Sequence, residues 1–391
     1  MTDRSVADIR ETVQALPAPA RELFARMFHV SVTTGELVPC PSIEGWLKAQ
    51  FGSVQTVRSQ RITRITNQVT MEGSIFNGLR SRRPKEAKGS LDLQKTIREK
   101  AGDPFCSPLD RTPEDTFGRV EGRYCTTASS VAKFEGFHGV VVFDEHSPLA
   151  LSEERVSDYI DTAARWAQAA HEEDERAKYP LFVWNCLWKG GASIIHGHAQ
   201  VVLGRDMHYA KVEGLRKASG SYAAAYGSDY FDDLYRVHEA LGLAFASRTT
   251  RVIAYLTPIK EKEVLLISPR LDHNCKAAIY QVLRCYLQEM GVRSFNLAIY
   301  LPPMGESLDE WRDFPVFARV VDRGDPMNRT SDIGAIDMYG SSSIVSDPFQ
   351  VAVALRQAFT RHGKDLSDGS LGNRGEGREQ ESKQHKYRVA G

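Results

Sequence analysis

The sequence predicts an α+β fold in which antiparallel sheets carry packed helices, and three observations predict it. The pattern strand, strand, helix, strand, strand occurs twice along the chain. Links between neighbouring strands are short and hairpin-like, which antiparallel pairing permits and a doubly wound parallel sheet does not. The third observation is bulk: 391 residues, 42% of them hydrophobic, can fill two or three cores or one duplicated domain.

Residues 1–55 read as a helical N-terminal extension made of "SVADIRETVQAL", "APARELFARMF" and "SIEGWLKAQF", the last capped by Ser42. Residues 56–205 form the first repeat. Its strand signals fall at "SSVAKFEGF" and "GVVVF", then at "LFVWNCL" and "IIHGHAQVVL". Between the two pairs, Val156, Tyr159, Ile160, Ala163, Trp166, Ala167 and Ala170 share one face at i, i+3, i+4 spacing. This predicts a helix from Ser152 to Ala170, with Ser152 as cap and Glu153 and Glu154 placed well for the helix dipole.

Residues 206–360 form the second repeat, with strands "RVIAYLT", "EVLLIS", "FNLAIYL" and "PVFARVV" around a helix from Asp272 to Met290. That helix shows an apolar stripe of Ile279, Val282, Leu283, Tyr286 and Met290 and is stopped by Gly291. Aligning "HAQVV" with "FARVV" sets Phe317 opposite His198, Arg319 opposite Gln200 and Pro315 opposite His196, so only the first repeat can carry histidine chemistry. Residues 361–391 are rich in Gly, Ser and charge and poor in large apolar side chains. They cannot offset their ordering entropy and are expected to form a disordered tail.

Lys plus Arg number 50 and Asp plus Glu number 50, so no broad basic or acidic surface seeks nucleic acid or membrane, and any anion site must be local. The start lacks a basic segment followed by an apolar one, and no apolar run approaches membrane-spanning length. A cytoplasmic protein is expected. Cys40, Cys106, Cys125, Cys186, Cys275 and Cys285 are scattered without a C-x-x-C pair, which argues against a disulfide framework and for reduced thiols, one of them on a metal.

Chemistry concentrates in "NCLWKGGASIIHGHAQVVLG", Asn185 to Gly204. On a strand, the period of two sends His196, His198 and Gln200 to one face and Ile195, Gly197, Ala199 and Val201 to the other. Two close histidines alone are more often ordinary core or surface residues. Here "KGGAS" precedes them, with Gly191 supplying pliant backbone whose N–H groups can hold phosphate oxygens and Ser193 adding a hydroxyl donor.

This stretch resembles the active-site segment of the histidine-triad superfamily, specifically its nucleotidyltransferase branch, which includes galactose-1-phosphate uridylyltransferase and diadenosine tetraphosphate phosphorylase. The branch signature is His-x-His-x-Gln, and the superfamily's hydrolases usually carry a third histidine where this chain has Gln200. Asn185 and Ser193 stand where that family has an Asn and a Ser. "RSRRP", Arg80 to Pro84, is similar to its Arg-x-x-Arg-Pro segment, and "DEHSPLALS" to its Asp-His-Ser segment. The resemblance implies two histidine-triad-like repeats with one active half and a homodimer.

It also implies roles. His198 would be the nucleophile that takes a nucleoside monophosphate. Gln200 would donate to the phosphoryl oxygen without shuttling a proton, which suits an acceptor that is already ionised. Ser193, Asn185 and backbone N–H groups around Gly191 would hold developing charge, and Arg80 and Arg83 would fork onto phosphates.

A zinc ion in that family is bound by two cysteines, a histidine and the first motif histidine. Cys106, His146 and His196 match three of these, and Asp103 stands where the first cysteine should be, giving a possible tetrahedral set in which Cys125 is an alternative ligand. His138 reads as a strand residue without a role. In the second repeat the family's further metal histidines and its sugar-reading Asn and Gln are not evident. Arg319 would point to a shared interface or an acidic acceptor.

The expectation is therefore a nucleotidyltransferase moving a nucleoside monophosphate from a nucleotide sugar to a sugar 1-phosphate or related phosphate-bearing acceptor. The alternatives are a phosphorylase of dinucleoside polyphosphates or similar nucleotides, and a non-catalytic nucleotide-binding protein.

Overall fold

The computed structural model describes residues 4–82, 92–305 and 309–371. Among them thirteen strands form in chain order: β1 (Phe28–Glu36), β2 (Ser59–Asn67), β3 (Gly73–Phe76), β4 (Cys125–Ser129), β5 (Phe137–Phe143), β6 (Ala177–Asn185), β7 (His198–Arg205), β8 (Ala244–Ser247), β9 (Thr250–Ala254), β10 (Glu261–Ser268), β11 (Phe295–Tyr300), β12 (Val316–Asp322) and β13 (Ser342–Ile344). Nine of them make one sheet in the order β4-β5-β7-β6-β11-β12-β10-β9-β8, antiparallel at every junction. The two expected units meet edge to edge where β6 pairs with β11, so they share one continuous sheet. Outward from that seam, the strands of each half follow in corresponding order. Gln200, Val183, Ala298 and Arg319 occupy one row across the seam, so Gln200 and Arg319 hold corresponding places.

One face of the sheet is covered by the helices Glu153–Glu173 and His273–Gln288. The expected stripe of the first is buried at every position, and Ser152 caps it by accepting from the Arg155 N–H. That helix lies so close to β5 that a Cβ on Gly139 would sit 2.5 Å from the Trp166 ring, which is why glycine stands there. Ala199, Val201 and Leu203 of β7 join this main core, and alternation then turns His198 and Gln200 to the opposite face. On that face a separate small cluster of Ala128, Val140 and Val142 packs under Phe105.

Over the second half the same face is covered by the helices Ala210–Tyr226 and Tyr230–Leu241, with Phe231 against Phe317. A second sheet, β1-β2-β3-β13, joins it through Asn67, which donates to the hydroxyls of Tyr230 and Tyr255.

Several boundaries differ from those expected. Residues 28–36 are a strand between two helical stretches: Val30, Val32, Thr33 and Thr34 favour extended backbone, and β2 supplies the pairing. Ser42 does not cap its helix. It lies inside a short turn, Pro41–Ile43, that leads into Glu44–Phe51. The first strand of the large sheet is Cys125–Ser129 rather than "SSVAKFEGF", whose residues 130–136 form the connection to β5. The C-terminal helix Pro348–Leu371 runs into the expected tail, whose residues 372–391 lie outside the described residues.

Candidate active site

The strand carrying the motif begins at His198 rather than at Ile194. His196 therefore sits just before it, where Gly197 is clasped between the His146 carbonyl and the Phe143 N–H. A Cβ on Gly197 would lie 2.6 Å from the Phe143 ring and 3.1 Å from the Glu145 carbonyl. Only glycine lets this chain pass so close, and the passage fixes the histidine on either side. Both rings reach Phe105, whose centroid is 6.2 Å from that of His196 and 5.1 Å from that of His198.

His198 Nδ1 is 2.8 Å from the His196 carbonyl oxygen. A carbonyl only accepts, so Nδ1 carries the proton and Nε2 keeps the lone pair. The ring is 6% exposed, and burial holds its pKa below the ordinary histidine value, with the His196 carbonyl pulling weakly the other way. Two residues on, Gln200 points to the same face. Its Oε1 lies 3.2 Å from His138 Nε2, a residue given no role in the sequence reading.

Asn185 closes β6. Asn296 opposite donates to Asn185 Oδ1 at 2.7 Å and to the Gly190 carbonyl at 2.7 Å, which leaves the Asn185 amide N–H groups to donate elsewhere. The loop between β6 and β7 turns through Leu187 and Gly191 at positive φ, 63° and 99°. The N–H groups of Gly190 and Ala192 are donated to the Leu187 carbonyl and that of Gly191 to the Trp188 carbonyl. The Gly191 N–H, expected to face phosphate, is thus used in closing its own turn. Ser193 is exposed and makes no hydrogen bond among the described residues. Arg80 lies in the short turn Gly78–Arg82 after β3, on the four-stranded sheet and not on the sheet that carries His198, and Arg83 falls outside the described residues.

Asp103, Cys106, His146 and His196 converge, their nearest ligand atoms all within 4.8 Å of one another. Cys106 Sγ is 3.4 Å from both His146 Nδ1 and His196 Nδ1, and these two nitrogens are 3.2 Å apart. Asp103 oxygens lie 3.7 Å from His146 Nδ1 and 3.8 Å from His196 Nδ1. Each ring's Nε2 donates at 2.8 Å to a backbone carbonyl, of Ile97 for His146 and of Phe143 for His196. Both Nδ1 atoms therefore turn lone pairs toward each other and toward a thiol and a carboxylate. Asp103 Oδ2 is buried with no hydrogen-bond partner among the described residues. Four electron-rich atoms gathered in this way repel unless a cation lies between them. Cys125, the alternative ligand, is outside the cluster: it is buried beside Asp158, and burial pushes its thiol up to about 12.

In the second half Arg319, in the place corresponding to Gln200, is clamped by Glu263 and Glu72 of the same chain, each at 2.6 Å. It is engaged inside the molecule.

No protein-family model and no curated protein matches the sequence. Solved structures match the fold. An ADP-glucose phosphorylase from Arabidopsis thaliana, solved with bound ADP-glucose, is 17% identical with a TM-score of 0.57, over 74% of this chain and 96% of its own. A GalT-like protein from Arabidopsis thaliana is 17% identical with a TM-score of 0.53, over 74% of this chain and 97% of its own. A uridylyltransferase is 16% identical with a TM-score of 0.53, over 76% of this chain and 98% of its own.

Proposed function

We propose, for a chain with the fold of the uridylyltransferase branch of the histidine-triad superfamily, a nucleotidyltransferase that works through a nucleotidyl group on His198. The donor is a nucleotide sugar and the acceptor a sugar 1-phosphate or related phosphate. The observation that carries the reading is the hydrogen bond from His198 Nδ1 to the His196 carbonyl, which presents Nε2 as a nucleophile needing no separate base.

In the first displacement Nε2 attacks the α-phosphorus of the donor. An N–P bond forms, the P–O bond to the leaving sugar phosphate breaks, and the electron pair departs with that oxygen. The ring becomes positively charged, and the His196 carbonyl at Nδ1–H stabilises that charge. In the second displacement a phosphate oxygen of the acceptor attacks the same phosphorus, the N–P bond breaks, and the ring returns to its neutral form. Gln200 donates to the phosphoryl oxygens as charge builds, assisted by Ser193 and the Asn185 amide. Arg80 and Arg83 complete the phosphate contacts. A glutamine cannot remove a proton, so the acceptor must arrive ionised, as a phosphate does and water does not.

The converging ligands suit zinc. Metal–ligand distances of about 2.0–2.3 Å in a tetrahedron give ligand-to-ligand edges of roughly 3.3–3.8 Å. Cys106 Sγ and the two Nδ1 atoms lie 3.2–3.4 Å apart, Asp103 oxygens lie 3.7 and 3.8 Å from those nitrogens, and the set as a whole lies within 4.8 Å. Asp103, Cys106, His146 and His196 would hold the ion. When bound it supplies a structural cross-link that fixes the segment leading into His198. A homodimer in the cytoplasm completes the reading, and six free thiols suit a reducing compartment.

Inorganic phosphate is also an ionised acceptor, so the same residues serve a phosphorylase of nucleotide sugars or dinucleoside polyphosphates. The fold shared with ADP-glucose phosphorylase supports that second reading. Incubation with UDP-sugar, ADP-glucose or dinucleoside polyphosphate labelled at the α-phosphorus should leave label on the protein from one of them. Release of that label by sugar 1-phosphate or by phosphate then tells transferase from phosphorylase. No label from any donor would leave only a non-catalytic nucleotide binder.

A further inference from the structure

One buried histidine beside this chemistry has no part in it so far. His138 lies on β5 opposite Val202 of β7, while Gln200 lies opposite Val140, so alternation along the paired strands brings both side chains to the same face. The His138 ring is 2% exposed and rests against Phe134, with centroids 4.0 Å apart.

Its Nε2 is 3.2 Å from Gln200 Oε1, and its Nδ1 is buried without a partner among the described residues. Burial lowers the ring's pKa, so it is neutral and one nitrogen carries the proton. With the proton on Nε2, the ring donates to Gln200 Oε1 and the orphan is an acceptor. With the glutamine amide reversed, the ring would accept from the amide and the orphan would be a buried N–H. Unpaired buried N–H groups are rarer than under-satisfied acceptors, so the first arrangement prevails.

An untethered glutamine amide can turn over and present either end. Turned one way it donates to a phosphoryl oxygen; turned the other it sets a carbonyl oxygen against that anion. The tie from His138 Nε2 to Gln200 Oε1 removes the second choice.

We propose that His138 is a positioning residue that holds the Gln200 carbonyl back so that the amide N–H groups face the transferred phosphoryl group. This rests on the nucleotidyl-His198 reading. The test is single-turnover labelling from the donor that labels the wild-type protein, in His138→Leu, His138→Gln, Gln200→Ala and the His138→Leu, Gln200→Ala double variant, each checked by thermal melting. His138→Leu should slow labelling by about tenfold to a hundredfold, less than the roughly hundredfold to thousandfold typical of deleting a transition-state donor outright, because the Gln200 amide is left free to turn and is not removed. Donor KM should change much less than kcat. His138→Gln, whose amide can donate from a similar place, should recover most of the rate. In the Gln200→Ala background, His138→Leu should cost nothing further, because the residue acts only through Gln200. Equal labelling rates in wild type and His138→Leu, or additive losses in the double variant, would overturn the inference while leaving the His198 reading intact. Failure of the wild-type protein to label would overturn the His198 reading itself.

Discussion

At the residue scale the site depends on where protons sit. His198 shows a lone pair outward because the carbonyl two residues back claims the other nitrogen, and that geometry exists because Gly197 lets the chain pass between Phe143 and Glu145. Gly197→Ala puts a methyl 2.6 Å from the Phe143 ring, so the backbone must shift and both flanking rings with it. Misplacement of a reacting atom by about 1 Å costs about a hundredfold. Gly197→Ala should therefore cut the single-turnover labelling rate by about that factor, measured beside a melting curve that shows the variant folded. The pair of histidines and the glutamine were legible in the sequence because the alternation is local. His138 was not, since its partner lies on a neighbouring strand and only the register of β5 against β7 joins them.

At the scale of elements, the short turn Pro104–Cys106 does two things. Asp103 caps it by accepting from the Phe105 N–H at 2.8 Å, and the turn sets Cys106 against His146 and His196 while Phe105 covers the site. Elemental analysis of the purified protein should find about one zinc per chain, and Cys106→Ala should lose it. A metal content unchanged by that substitution would reject these ligands. In the second half the place corresponding to Gln200 is taken by Arg319, held in an ion triad whose Glu263 is fully buried and whose Arg319 and Glu72 are largely so. Arg319→Leu leaves the Glu72 and Glu263 carboxyls without their cation, and breaking a buried pair of this kind costs about 3–5 kcal/mol. Urea unfolding should register that loss, while labelling at His198 stays at the wild-type rate.

At the scale of the whole molecule, the architecture is one antiparallel sheet whose two halves run in corresponding order from the β6–β11 seam, which supports the reading of two repeats. The helices on its main face were legible because their apolar stripes repeat within the element. Strands β1, β2, β3 and β13 were not, because each is short or weakly patterned, and although β2 and β3 form a local hairpin, β13 reaches β3 only from near the other end of the chain. Long-range packing also sets the response to pH. His208 and His238 are held neutral by burial, each down to about 4, and both ring nitrogens of each are engaged. Protonation would break the bond accepted from the Tyr209 or the Leu256 N–H. The unfolded chain takes these protons near pH 6.5 and the folded one only near 4, so stability is full above about 6.5 and is lost as pH falls toward 4. The loss by pH 5 should be on the order of 2 kcal/mol per histidine. Unfolding free energies at pH 7 and pH 5 check this.

The proposed chemistry turns on a single bond, from phosphorus to His198 Nε2. Peptide mapping by mass spectrometry of protein quenched in base after reaction with a nucleotide donor would locate it. The expected result is a nucleoside monophosphate increment on the peptide containing His198, removed by acid and missing from His198→Ala. An increment on any other residue, or one that persists in His198→Ala, would contradict the account.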